Sequence, residues 1–412
     1  MKTKDIVVLS KKKTALMPLL VILSLAVIII IVISIVLTPF FQPRPSPQPK
    51  PEEPDKTRIA TNDSNSTQTA AIVSPPPPPA PIDVVSTMTA FPFVQRWAAQ
   101  YENQQLGSSG SVNIDYLDER QIKEVSRGGN GGRLAIVGTP DDNNNTVRIP
   151  VSAQAVAIVY NIPAFPDIPS GLRLNSTTLF LILNGTITRW NDAVIKDLNP
   201  SLNLPDERII VVHDSDMENN TSSSLMLLNQ YLSSRSITWA NDSIAVTGPA
   251  ELAGMVRKTP YSVGYVDFSY AVQTRMTYAA IRDADGEYIV PSTQSIGRSV
   301  DAALEFHNSS IGQQPLSPPQ QQQEQIPTIN ASRLINGSYP IVGLYYASLL
   351  LANDDDDKEG KNAAILNFVQ WIISDGGGQQ TLLEVQYPPI YTGNEQLATY
   401  AKVIMNTTSS TN

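Results

Sequence analysis

The chain has 412 residues, 42% of them apolar, with no cysteine and a formal net charge of −9. That length accommodates two or more domains, and the missing cysteines exclude disulfides, thiolate metal sites, cysteine nucleophiles and a lipidated cysteine anchor. The first 50 residues hold seven Lys/Arg against one Asp, a balance of +6 that leaves −15 on residues 51–412; so acidic a body argues against a nucleic-acid partner.

Residues 1–14 form a basic tail containing Lys2, Lys4, Lys11, Lys12 and Lys13. Ala15–Leu37 then runs uncharged for 23 residues, enough to cross a hydrocarbon core of about 30 Å at about 1.5 Å per residue. Only Arg44 and Lys50 follow it closely, so the charge asymmetry predicts a single-pass helix with a cytoplasmic N-terminus. A cleaved signal peptide would have a shorter apolar region and a small-residue cleavage site, which "SIVLTPFFQP" lacks. Residues 38–86 are proline-rich and polar, including "SPPPPPAP", and read as a semi-extended tether.

Beyond the tether, strand-like runs ("LAIVG", "AVAIVYNI", "RIIVV", "SVGYVDF") alternate with helical ones ("FVQRWAAQY", "SSLMLLNQYL", "AAILNFVQWIIS"), which predicts an α/β class. In "RIIVVHDSDMENNTSSSLMLLNQYL" a buried strand passes through a loop into a helix whose first turn holds Ser222, Ser223 and Ser224. Unpaired N–H groups, hydroxyls and the positive end of a macrodipole suit an oxyanion there, whereas Asp214, Asp216 and Glu218 in the loop oppose one. "GQQPLSPPQQQQEQIP", inside a loop at 312–327, has nothing to pack, and "NDDDDKEGK" lacks calcium-loop spacing. Residues 401–412 read as a polar tail. Sequons at Asn62, Asn65, Asn144, Asn175, Asn184, Asn219, Asn220, Asn241, Asn308, Asn330, Asn336 and Asn406 are candidates for N-glycosylation on an extracytoplasmic surface. Two histidines, His213 and His307, are too few for a histidine metal cluster. No metal, cofactor or catalytic residue is expected, and Trp97, Trp190, Trp239 and Trp371 read as core.

Five segments in order resemble the phosphate-binding proteins of ABC importers, a type 2 periplasmic-binding-protein-like family. They are "TAFPFVQRWAAQY", "VSAQAVAIVYNIP", "LNGTITRWNDAVIKDLNPSLNLPDERIIVV", "TPYSVGYVDFSYAVQTRMTYAAIRDADGEYIVPS" and the return "YPIVGLYYASLL…AAILNFVQWIISDGGGQQTLLEVQYPPI". The resemblance covers most of Thr87–Tyr391 and implies two α/β lobes. The first part of lobe 1 would span 87–160, lobe 2 161–290, and the return to lobe 1 291–400, with crossovers near Val156–Ile162 and Ala279–Pro291. It implies a solute-binding protein rather than an enzyme, with inorganic phosphate or a similar oxyanion as ligand and permease subunits as partners.

Carried over residue by residue, the family's hydroxyl positions fall on Ser222 and Ser224, with Ser223 on a glycine. The family's arginine falls on Glu218 or its neighbours, so a fixed bidentate cation is replaced by a carboxylate. "VGTPDD" puts Asp141 on the carboxylate that accepts the proton of hydrogen phosphate, although Asp141 and Asp142 also fit a plain polar loop. The first phosphate loop corresponds to Phe91 and Pro92, with Ala90 where a hydroxyl residue is usual. "LDERQIKE" stands where the family has a G-S-S-G-G helix start. An alternative also fits: a binding-protein fold that has lost its anion and serves as a cell-envelope, adhesion or protein-interaction module.

Overall fold

The computed structural model describes residues 80–104, 110–127, 131–138, 146–165, 171–215, 222–233, 237–304, 329, 334–352 and 360–410. Ala15–Leu37, the tether up to residue 79, Asp141, Asp216, Glu218, the loop 312–327 and the sequons at Asn62, Asn65, Asn144, Asn219, Asn220, Asn308 and Asn330 lie outside them. Among the described residues no helix is long and apolar enough to cross a membrane.

Strand and helix alternate from the start: β1 (Ile82–Ser86), α1 (Phe91–Gln104), β2 (Val112–Tyr116), α2 (Glu119–Arg127) and β3 (Arg133–Val137). The helical crossovers make β1 parallel to both β2 and β3. β4 (Val147–Asn161) follows, 15 residues long and buried at all but its two ends. Next come β5 (Arg173–Leu174), α3 (Ser176–Leu183), α4 (Ala193–Leu198), β6 (Ile210–Asp214), α5 (Ser223–Tyr231), β7 (Ile244–Val246), α6 (Gly248–Lys258), β8 (Ser262–Asp267), α7 (Phe268–Gln273), β9 (Thr277–Tyr278), β10 (Ala280–Arg282) and β11 (Tyr288–Ile289). The chain returns through α8 (Thr293–Leu304), β12 (Val342–Leu350), α9 (Lys361–Ile372), α10 (Gly378–Leu382) and α11 (Glu395–Ser410).

Among the described residues the main sheet runs β2-β1-β3-β12-β4-β8-β6-β7, and β4 ties its two halves together. The first half of β4 pairs antiparallel with β12 as far as Ala155, opposite Val342, and the second half pairs antiparallel with β8 from Val156, opposite Asp267. At about 3.3 Å per residue such a strand is some 50 Å long, enough to run through both lobes. Pro150 is tolerated in this central strand because the register shifts beside it, between Tyr345 and Tyr346 of β12.

Trp97 and Trp190 are fully buried, and each indole N–H is satisfied by a carbonyl, of Gly378 at 2.8 Å and of Tyr261 at 2.9 Å. One of the sequence-derived expectations needs correction. The stretch read as a polar tail is helical through Ser410, because Leu397, Ala401, Ile404, Met405 and Thr408 recur at helical spacing and are buried. The described sequons divide: Asn241, Asn336 and Asn406 are exposed, whereas Asn175 caps α3 by accepting the N–H of Thr178 and Asn184 ends that helix.

Candidate functional site

A cavity of about 520 Å³ opens where the C-terminal ends of β1, β2 and β6 meet the N-termini of α2, α5 and α6. Its walls include Thr87 and Thr89 after β1, Tyr116 to Arg120 after β2, Asp214 and Ser215 at the end of β6, Ser222 to Ser224, and Thr247 and Gly248. Open α/β sheets place ligands at such a junction, because strand ends deliver loops and helix starts deliver free N–H donors. A second cavity, of about 630 Å³, lies against the start of α3 and the turn between β10 and β11, away from these ends.

The helix starts around the first cavity are already answered by acidic side chains. At α2, Asp118 Oδ1 accepts the N–H of Gln121 at 2.7 Å while Gln121 Oε1 accepts the N–H of Asp118 at 3.0 Å, a reciprocal capping box written by "DERQ". At α5, Ser222 Oγ accepts from Leu225 N at 3.4 Å, but the N–H of Ser223 donates to Glu119 Oε2 at 2.7 Å. At α6, Gly248 N points at Asp214 Oδ1, 3.4 Å away, and the preceding N–H of Thr247 donates to Glu251 Oε2 at 2.8 Å.

Ser223 is the hub of this arrangement. It is buried, and its hydroxyl oxygen accepts from Gln154 Nε2 at 2.8 Å, so a side chain of β4 fixes the start of α5. Gly138, at the end of β3, is glycine for a reason: a Cβ there would stand 2.4 Å from Gln154 Oε1 and 2.7 Å from Ser223 Oγ. Removal from water pushes the Glu119 carboxyl up to about 7; hydrogen bonds from Ser223 and the charge of Lys123 pull it back, and the charge of Asp214 adds to the rise.

His213 stacks on Trp239, with ring centroids 4.3 Å apart and planes 5° from parallel. Its Nδ1 lies 2.9 Å from the carbonyl oxygen of Asp214 and its Nε2 lies 3.1 Å from Ser243 Oγ. Burial lowers its pKa, so the ring is neutral at pH 7. A backbone carbonyl, not a carboxylate, orients the imidazole, which is not the layout of a catalytic triad. Among the described residues no group of three or more His, Asp or Glu stands together to hold a metal ion.

Of the residues singled out in the sequence, Ser222, Ser223 and Ser224 come together on the cavity wall. Ala90 is fully buried at the approach to α1, and Phe91 turns its ring edge-on to Tyr116, centroids 6.1 Å apart. Thr87, Met88 and Thr89 of the same loop line the cavity instead. Sequence reasoning missed Glu119 and Gln154. The departure "LDERQIKE" was the signal for the first, and nothing in the apolar run of β4 marks the second.

This architecture is matched by relatives. A model of the PBP superfamily domain matches residues 60–376. The chain belongs to the PBP superfamily. Curated relatives in this superfamily include the phosphate-binding protein PstS of Haemophilus influenzae, 26% identical over 322 residues, covering 73% of this chain and 86% of that protein. The phosphate-binding protein PstS of Methanocaldococcus jannaschii is 29% identical over 252 residues, covering 56% of this chain and 60% of its own. The PBP superfamily fold also matches the solved structure of a high-affinity periplasmic phosphate-binding protein bound with phosphate, with a TM-score of 0.52, 12% identity, and coverage of 78% of this chain and 93% of that one.

Proposed function

We propose that this chain is a membrane-anchored, extracytoplasmic solute-binding protein that captures inorganic phosphate or a related oxyanion and passes it to the permease subunits of an ABC importer. The observation that carries this reading is the cavity where strand C-termini and the starts of α2, α5 and α6 converge, in a superfamily member whose curated relatives are phosphate-binding proteins. Ser222, Ser223 and Ser224 at the start of α5 supply the donors, Asp141 is a candidate to accept the proton of hydrogen phosphate, and Ala90 and Phe91 back the loop that carries Thr87 and Thr89. Ala15–Leu37 anchors the protein, with the N-terminus in the cytoplasm and the rest outside. Capture needs lobe closure and no chemical step.

The absence of an arginine clamp at the start of α5 sets the expected strength. Charge-assisted hydrogen bonds contribute about 1.5–3 kcal/mol each, so losing them moves affinity by one or more powers of ten from tight capture. Calorimetry on the full chain in detergent, at low salt, should show modest phosphate binding that weakens as salt is added. No binding of phosphate, arsenate or sulfate would remove oxyanion capture as the function.

A further inference from the structure

The donor group best placed for an anion already holds one from its own chain. Glu119 opens α2 in the first lobe, and its carboxylate takes the first free N–H of α5 in the second lobe, 104 residues away. Its neighbour Asp118 is spent capping α2, while Glu119 reaches across the cavity. Gln154 holds Ser223 from the other side, so the contact joins two fixed partners.

We propose that Glu119 is an internal counter-ligand of the cleft: its side chain holds the lobes together without solute, and an oxyanion binds by displacing it from Ser223. The proposal rests on oxyanion capture as the function and adds the residue that sets its affinity. At pH 8, where Glu119 is ionised even though burial raises its carboxyl to about 7, both anions cannot share the start of α5 without like-charge repulsion in a partly dry cavity. The apparent affinity is therefore the intrinsic one reduced by the fraction of molecules with the clasp open. Ser223 of α5, Lys123 of its own helix and Asp214 of β6 act on Glu119 directly, and Asp118, Arg120, Tyr116 of β2 and Tyr265 of β8 line the cavity with it.

The test uses the full chain in detergent at pH 8 with inorganic phosphate, comparing wild type, Glu119→Gln and Glu119→Ala. Because the chain has no cysteine, Glu124→Cys on α2 and Lys258→Cys on α6, both exposed, give a single labelled pair for an interlobe distance. Both Glu119 variants should bind phosphate about tenfold or more tighter than wild type, since a competing charge-assisted contact is removed. The unliganded interlobe distance should lengthen in Glu119→Ala. Where phosphate binds, unchanged or weaker binding by Glu119→Ala overturns the proposal, whatever the distance. Glu119→Gln keeps an acceptor for the N–H of Ser223, so it separates loss of charge from loss of fold. If none of the three proteins binds phosphate, the capture reading fails and the distance alone decides the clasp: lengthening in Glu119→Ala supports it and an unchanged distance overturns it.

Discussion

Glu119 gives the cleft a proton-linked signature as well as an affinity. In contact with Ser223 its carboxyl titrates at about 7 against an ordinary 4.5, so the clasped form is favoured fully below pH 4.5 and loses that advantage as pH rises through 7. Displacement by phosphate returns the side chain to water, and binding near pH 6 should therefore release a proton. Calorimetry of wild type in buffers of different protonation enthalpy should detect it, and Glu119→Gln, sharing phosphate's own titration, should lack the difference. Proton uptake would instead mean that Glu119 stays and shares its proton with the anion. Ser222 is a different case, because its hydroxyl caps α5. Ser222→Ala should lower stability by about 1 kcal/mol, the usual loss of an N-cap, read as a reduced Tm. The triple serine was legible from spacing alone, but which serine faces the partner lobe was not. That is decided by Gln154 and Glu119, 69 and 104 residues away.

Among the elements, β4 and β8 carry the junction between lobes, and a buried acid sits on it. Asp267 ends β8 opposite Val156, where β4 changes partners. It caps α7 through the N–H of Ser269 at 2.9 Å and receives the hydroxyl of Tyr345 at 3.0 Å from β12 and that of Tyr387 at 3.4 Å. Burial pushes its carboxyl up to about 7 although these hydrogen bonds oppose the rise. A raised carboxyl pKa means that the native state holds a proton the unfolded chain has released. The associated stability is fully present below 3.8 and lost as pH rises through 7. Asp267→Asn should therefore be more stable than wild type at pH 8, by a few kcal/mol at about 1.4 kcal/mol per pKa unit, with the gap closing towards pH 4. Denaturant midpoints of the two proteins across that range check it; a constant gap would mean that Asp267 is charged in the fold. The second half of β4 and the strand–helix alternation were legible because burial on both faces leaves an unbroken apolar string at 155–160. The helix through Ser410 was not, since the exposed Thr399, Lys402, Asn406 and Thr407 give it a polar composition while the buried stripe is thin.

At the scale of the whole molecule, the order of five segments was enough to anticipate an α/β, two-lobed fold, because core runs and turn residues survive while ligand contacts change. The ligand contacts were harder to read. Asp118, Glu119 and Asp214 meet at one cavity only after β2 and β6 have been brought into one sheet, and spacing along the chain does not express that. The same three carboxylates belong to a body that carries −15 beyond residue 50, whose field repels phosphate as well as nucleic acid. Capture by such a body gains from being held near its permease, where a high local concentration offsets a modest affinity. That makes the anchor a functional part of the proposal. In the proposed topology the five lysines before Ala15–Leu37 keep the N-terminus inside, and the proline-rich stretch up to Ser86 offers protease its first target outside. Protease added to intact cells should release a soluble fragment lacking the first 38 residues or more, still reactive to an antibody against α11, while a tag at residue 1 stays with the membrane and protected. Recovery of only full-length protein, with the residue 1 tag accessible from outside, would invert the topology and place the cleft on the wrong side of the membrane for import.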